Sequence, residues 1–576
     1  MNPIHDPALL NRRDTLRWSF GLSLGSVVGG LAACGGGGAD PAPAPVTADT
    51  LPEAPVLTPA GDRLDLELIA QYTQQTRPLV VREDGTASVP PVYPGPAKAV
   101  QTTLRSFNGA YLAPTLRVKA GDTLRILLNN QLPPSVPDQS SMRDLNHQNS
   151  TNLHFHGLHV DPKEIRPGVY GDYVVDSADA GVLPGTTRQH EIHIPADHPS
   201  GIYWYHPHLH GATNTQVVSG MFGAILVQNP AEDFAAPGEL RERVIFVHKL
   251  ALNQEGRTDS FNDSTASRAS DFVLNGAHQP TLVMRPGEVQ IWHFLNVASF
   301  YPFNPVLDGH TMQAFARDAN VFDRVFAPVD ASTAPLLLAD GQVDAPHWPG
   351  NALYPGGRLS VLVQASSEPG SYYLRSVRAP SNQYDEEIVA RVVVEGEPTA
   401  MTMPSADRLP VYDDHRPIGD EELARHGGKQ RDLVLGVLSK DSELLARPIP
   451  EGEQWFNPAG GPVFATGAFG PVLAMAPYQS SLTPTQTVAL DSVEEWTIHN
   501  LDAYPHPFHI HVNDMYVVRI NDEPVTPFWC DTLPIPPRGS FTFRMRFADF
   551  SGKFVWHCHA LNHEDMGMMQ LVDVVG

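Results

Sequence analysis

Cysteine is nearly absent. Among 576 residues there are 3, Cys34, Cys530 and Cys558, too few for a disulfide framework. Positive charge is also scarce: 39 Lys and Arg face 64 Asp and Glu, for a formal net charge of −25. That balance argues against nucleic acid as a partner and against a polybasic membrane patch. No long amphipathic helical pattern is present, and Glu421 to His426 reads as a short helix at most. The 13 methionines form no Met-rich insert and cluster only near the C-terminus. The length excludes a single ordinary core. A composition of 42% hydrophobic and 18% charged residues excludes disorder. Pro (54) and Gly (46) are plentiful, the punctuation of a turn-rich all-β protein.

At the N-terminus, Asn11-Arg12-Arg13-Asp14 precedes an apolar run from Trp18 to Ala33. This is the layout of a twin-arginine export signal, and the run is too short and weak for a comfortable membrane span. Leu31-Ala32-Ala33-Cys34-Gly35 resembles a bacterial lipobox, which implies a lipid anchor on Cys34; plain signal cleavage is the alternative. We expect 1–34 to be signal and 35–60 a flexible linker rich in Gly, Ala and Pro. The expected location is periplasmic or cell-surface.

The rest of the chain repeats itself. Leu116 to Asn129, Leu282 to Asn296 and Thr487 to Asn500 each read as strand, turn, strand. Each is followed by a Pro/Gly turn, an alternating strand, a Gly and an aromatic strand: Pro184-Gly185 to Trp204, Pro355-Gly356 to Tyr372, Pro536-Pro537 to Phe554. Short alternating strands at this spacing predict three Greek-key β-sandwich domains, at 61–229, 230–397 and 398–576. The stretch from Asp407 to about Pro484 reads as long and irregular, wrapping the third domain.

Chemistry concentrates at Trp556-His557-Cys558-His559, followed by His563, Glu564 and Met568. On a strand, Cys558 points one way and His557 and His559 the other. The peptide links between them would join two metal sites. Cys558, His563, a second histidine and a weak axial Met568 make the blue-copper electron-transfer set. The second histidine is available in His506-Pro507-Phe508-His509-Ile510-His511. A structural zinc or ordinary core histidines is the bland alternative. Two further motifs lie in the first module, His154-Phe155-His156-Gly157 and His206-Pro207-His208; His210 is an extra histidine beside them. The middle module has no such motif; His293 and His310 are isolated. An H-x-H pair on a strand presents both imidazoles on one face. The ten motif histidines, less His506 and His563, leave eight, enough for three more coppers. One electron-entry copper beside three others suits the four-electron reduction of dioxygen to water. Twin-arginine export carries folded protein, which suits a metalloprotein loaded beforehand.

These motifs, with His563-Glu564-Asp565-Met566-Gly567-Met568-Met569, resemble the multicopper oxidases: laccases, bacterial cuprous or metallo-oxidases and bilirubin oxidases. The resemblance implies three cupredoxin-like domains and four coppers: one type 1, one type 2 and two type 3. It implies His506, Cys558, His563 and Met568 as type 1 ligands, and His154 and His509 as type 2 ligands. His156, His206, His208, His511, His557 and His559 match the type 3 positions. Met566 and Met569 compete with Met568 for the axial place. A Met ligand implies a lower potential than the Leu or Phe of strongly oxidising fungal laccases. Glu564 resembles the family's proton-supplying acid, and Asp531 is a second candidate. At the spacing of the family's acid after HxHG this chain has Ile165, with Asp161, Glu164 and Asp172 nearby. The expected activity is laccase-like oxidation of phenols or aromatic amines, with cuprous or other metal-ion oxidation as the alternative. An exported, non-catalytic structural protein of this fold is the alternative of another class. A monomer is expected.

Overall fold

The computed structural model describes residues 47–79, 93–95, 97–134, 148–175, 181–228, 239–249, 271–333, 344–377, 386–412, 415–439, 442–445, 463–470, 473–478 and 485–576. The paired arginines, Cys34 and the first part of the expected linker lie outside the described residues. Among the described residues no helix is long and apolar enough to cross a membrane.

Among the described residues there are six sheets, and each draws its strands from one stretch of chain: two from 56–228, two from 241–394 and two from 429–575. Each pair encloses its own core. Leu124 and Ile126 of one sheet join Leu116, Tyr203 and Ile225 of the other in the first sandwich. Trp292 and Phe294 join Leu282 and Val392 in the second. Trp496 and Phe541 join Phe508 and Trp556 in the third. The local cause is the period-two burial expected of a half-buried strand, as in Thr123–Asn130, whose residues alternate between half-buried and buried.

The repeated strand–turn–strand pieces do not close as hairpins. Thr115–Lys119 and Thr123–Asn130 lie in opposite sheets of their sandwich. So do Thr281–Met284 and Val289–Asn296, and likewise Gln486–Ala489 and Ser492–Asn500. Each corner holds one residue with positive φ: Gly121, Gly287 and, in the altered third copy, Asp491 at 60°. Asp is among the few side chains that tolerate this region. The second repeated pattern crosses back in the same way, from Thr187–His193 to Gly201–His206, from Arg358–Gln364 to Gly370–Ser376 and from Ser540–Phe547 to Gly552–Cys558.

Within 407–484, expected to be long and irregular, the described residues include three strands and a short helix. Lys429–Leu438 pairs in parallel with Ser492–Asn500, and Val463–Ala468 and Ala474–Ala476 extend the same sheet. Leu433 to Val437 is an almost continuous apolar run buried on both faces, so it lacks the alternation that marks a surface strand. The short helix forms at Asp420–Arg425.

Candidate metal centre

Two short strands aim the histidines. His154–His156 is the edge strand of its sheet and pairs antiparallel with Gly201–His206, setting His154 opposite His206. In the third sandwich His506–Ile510 pairs with Gly552–Cys558, setting His509 opposite His557 and Phe508 opposite Cys558. The two sets meet reciprocally. The His154 ring stacks on His511 and the His156 ring on His509, each with centroids 3.8 Å apart. His208 Nε2 lies 3.0 Å from His557 Nε2, which lies 3.3 Å from His511 Nε2.

The buried nitrogens therefore fall into groups whose ligand atoms lie within 4.8 Å of one another. One trio is His156, His206 and His559; a second is His208, His511 and His557; His154 and His509 group with His156. A further group is His154, Asp172 and His511. Each trio mixes the first and third sandwiches. On the other side of the strand, Cys558 Sγ lies 3.4 Å from His506 Nδ1 and 3.6 Å from His563 Nδ1. Met568 is buried in the same core cluster as Cys558, accepts from the Cys558 amide (3.0 Å) and donates to the His563 carbonyl (2.9 Å). Met569 packs elsewhere, with Val555 and Leu571.

Neighbouring groups choose which nitrogen each ring presents. The Nδ1–H groups of His154, His206 and His509 donate to Asp172, the Pro207 carbonyl and the Asp531 carbonyl. Their Nε2 atoms are buried without a hydrogen-bond partner. His156 is reversed: Nε2 faces Thr532 Oγ1 (3.3 Å) and Asp531 Oδ1 (3.4 Å), leaving Nδ1 bare. Both nitrogens of His559 are bare too. An unpaired buried polar atom costs about 1–3 kcal/mol, and lone pairs gathered at one place are what a bound cation satisfies. Burial holds His208 down at about 4 and His509 and His557 at about 3. The rings are neutral at physiological pH, as ligation requires. Burial pushes the Cys558 thiol up, so its thiolate needs a cation beside it. This donor set fits copper.

Two multicopper oxidase family models match the chain, at residues 92–232 and 464–575. The chain belongs to the multicopper oxidase family. It is 22% identical to the iron transport multicopper oxidase FET3 of Gibberella zeae, over 82% of this chain and 73% of the relative. It is 20% identical to a laccase of Bacillus subtilis, over 82% and 90%. Among solved structures, it shares its fold with a metallo-oxidase from Campylobacter jejuni (TM-score 0.62, 19% identity, 91% of this chain and 96% of that one). A laccase-like multicopper oxidase from Ochrobactrum gives 0.64, 20%, 91% and 100%. Multicopper oxidases are oxidoreductases that use dioxygen and a reductant, and the family implies copper, which the histidine groups fit.

The acids divide clearly. Glu564 is fully buried, with one oxygen 3.5 Å from His208 Nδ1 and the other 3.2 Å from His557 Nδ1. Burial pushes its carboxyl up, against the pull of His208. Asp531 lies between His156 and His509. Of the three acids near Ile165, the structure brings Asp172 into the site, with both oxygens 3.0 Å from His154 Nδ1. Glu164 is exposed, and Asp161 pairs with Lys163. A small hairpin, Glu164–Arg166 with Val169–Tyr170, lies between HxHG and this acid. His210 is buried against Tyr478 and joins no metal group. His293 bonds Ser360 and Glu242.

Asp502 was not foreseen. Its Oδ2 lies 2.7 Å from His506 Nε2, the nitrogen facing away from Cys558, and its side chain is 12% exposed. An acid four residues before a candidate ligand histidine was the available signal. Tyr504, itself exposed, leans on the His506 ring with centroids 4.9 Å apart.

Proposed function

We propose that this protein is a laccase-like oxidase that takes single electrons from a phenolic or aromatic-amine substrate and reduces dioxygen to water. His506, Cys558 and His563, with Met568 as axial group, would hold the type 1 copper. His154 and His509 would hold the type 2 copper. The trios His156/His206/His559 and His208/His511/His557 would hold the type 3 pair. Copper bound in these places would supply reversible one-electron redox chemistry. The observation that carries the reading is connectivity: Cys558 lies in one pocket, and its two chain neighbours, His557 and His559, belong to the two trios. One peptide link therefore joins the thiolate to each.

The side chains supply the rest. His506 meets the surface through its Asp502 bond, and Tyr504 beside it offers an aromatic face to a planar substrate. Glu564 can hold a proton against His208 and His557, and Asp172 and Asp531 orient His154, His156 and His509. A second reading, oxidation of a metal ion, is favoured by one observation: the Asp502 carboxylate at the entry histidine would attract a cation. We also propose twin-arginine export, on the motif at Arg12-Arg13 alone.

Oxygen uptake by the copper-loaded protein tests both. Turnover of a methoxyphenol without added cupric ion supports the laccase-like reading. Uptake only with cuprous or ferrous ion replaces it with metal-ion oxidation. No uptake with any of them at full copper loading defeats both.

A further inference from the structure

The second sandwich carries none of the histidine motifs, yet its Arg358 reaches into the seam. Arg358 begins the strand Arg358–Gln364 and is fully buried. Its two terminal nitrogens donate to the two oxygens of Asp531, each at 2.6 Å. Its Nε donates to the Ile202 carbonyl (3.2 Å) of the first sandwich, and its backbone amide to Asp318 Oδ1 (2.8 Å). One guanidinium thus touches all three sandwiches. Asp531 also accepts from Thr532 Oγ1 at 2.8 Å. Its Oδ1 then faces His156 Nε2 at 3.4 Å and His509 Nδ1 at 3.6 Å. The burial of Arg358 opposes its charge, but Asp531 and Asp318 more than offset that and hold it protonated.

We propose that Arg358 is a positioning residue for the histidine site, fixing Asp531 so that the His156 ring turns Nδ1 toward its trio. The proposal rests on the reading that these histidines hold copper. His156 is the one ring among His154, His156, His206 and His509 that presents Nδ1, and Asp531 with Thr532 faces its other nitrogen. A carboxylate held by a planar fork has one orientation. Without the fork, Asp531 keeps only the Thr532 hydroxyl and can rotate away from His156. The seam is built around the fork: a Cβ at Gly157 would overlap the Arg358 guanidinium and stand 2.7 Å from Asp531 Oδ2. A lysine offers one point charge where the fork offers two parallel bonds, so charge alone does not reproduce the clamp.

The rival account is that Arg358 only glues the sandwiches together. Arg358→Lys, Asp531→Asn and the double variant separate the two in the copper-loaded full chain. Three quantities are read: copper retained against a chelator, the electron paramagnetic resonance signal of the copper that His154 and His509 would hold (His509 also faces Asp531), and the blue absorption of the Cys558 site. Both single variants should keep the blue absorption while copper affinity at the histidines falls about 10- to 100-fold and the resonance signal changes. The double variant should be no worse than Asp531→Asn, because Arg358 acts through that carboxylate. An unchanged resonance signal and copper retention in Arg358→Lys overturns the proposal. So do losses that multiply in the double variant. Should Arg358→Lys fail to fold, Asp531→Asn decides by itself, and wild-type copper retention and signal in that variant overturn the proposal. Failure of the wild type to consume oxygen would defeat the functional reading and leave these copper comparisons intact.

Discussion

Gly157→Ala is the sharpest single perturbation of the seam. Gly157 follows His156 directly and has φ +83°. An alanine there costs about 1–3 kcal/mol for the left-handed backbone alone. The new Cβ must also enter the space of the Arg358–Asp531 pair. The guanidinium ends a long chain and could swing aside, but it is buried and held by two 2.6 Å bonds, so any swing breaks the pair. Breaking a buried ion pair costs about 3–5 kcal/mol. The expected total is about 4–8 kcal/mol, a large share of a typical domain's stability. Gly185→Ala is the control: φ is +80° and nothing lies within 4 Å of its Cβ, so only the backbone cost remains. Chemical denaturation of the copper-free protein, followed by tryptophan fluorescence, compares the two. Equal midpoints for Gly157→Ala and Gly185→Ala would refute the reasoning, since the two sites differ chiefly in what the Cβ meets.

Other outcomes follow from the same geometry. Cys558→Ser should abolish the blue absorption and oxidation while the circular dichroism and melting of the copper-free protein stay near wild type; retained oxidation would remove Cys558 from the electron route. Glu564→Gln should keep bound copper yet slow oxygen consumption about 100-fold or more, the usual contribution of a positioned acid, while anaerobic bleaching of the blue absorption by the reducing substrate stays unchanged. The copper-free protein should lose stability in mild acid. His190 and His208 titrate near 4 when folded because burial opposes their charge, against 6.5 unperturbed. The unfolded chain therefore binds more protons between those values, and stability falls as pH drops from about 6.5 to about 4, by a few kcal/mol per ring. A flat unfolding free energy across that window would contradict the burial of these rings as neutral groups. Asp502→Asn should alter the rate with a metal-ion donor more than with a neutral phenol; equal effects would weaken the case for a cation at His506.

Much of the candidate site is readable along the chain because its histidines come as local patterns. His154/His156, His206/His208, His509/His511 and His557/His559 are all H-x-H pairs; residues two apart on a strand share a face, which holds within His154–His156, whereas His208, His511 and His559 stand just past the ends of their strands. Asp502 was missed although it stands close to His506, because an acid in a polar turn is unremarkable until its distance to a ring nitrogen is known. Asp172 was only one of three acids near Ile165, and a hairpin between it and His156 hides from the linear sequence which acid turns back to the histidines. Arg358 carried no signal at all: its partner Asp531 is 173 residues away.

The linear sequence by itself determined the all-β character and the spacing of the candidate histidines, since strand periodicity and turn residues act over a few positions. It also placed Cys558 between two histidines, which is a covalent fact. Only the tertiary structure decided how the histidines partition. His156 and His206 join His559, while His208 joins His511 and His557, so each trio spans the first and third sandwiches. The same holds for the nitrogen each ring presents, and for the second sandwich's part in holding Asp531. These depend on how separate cores pack against one another, and side chains hundreds of residues apart become neighbours only when those surfaces close.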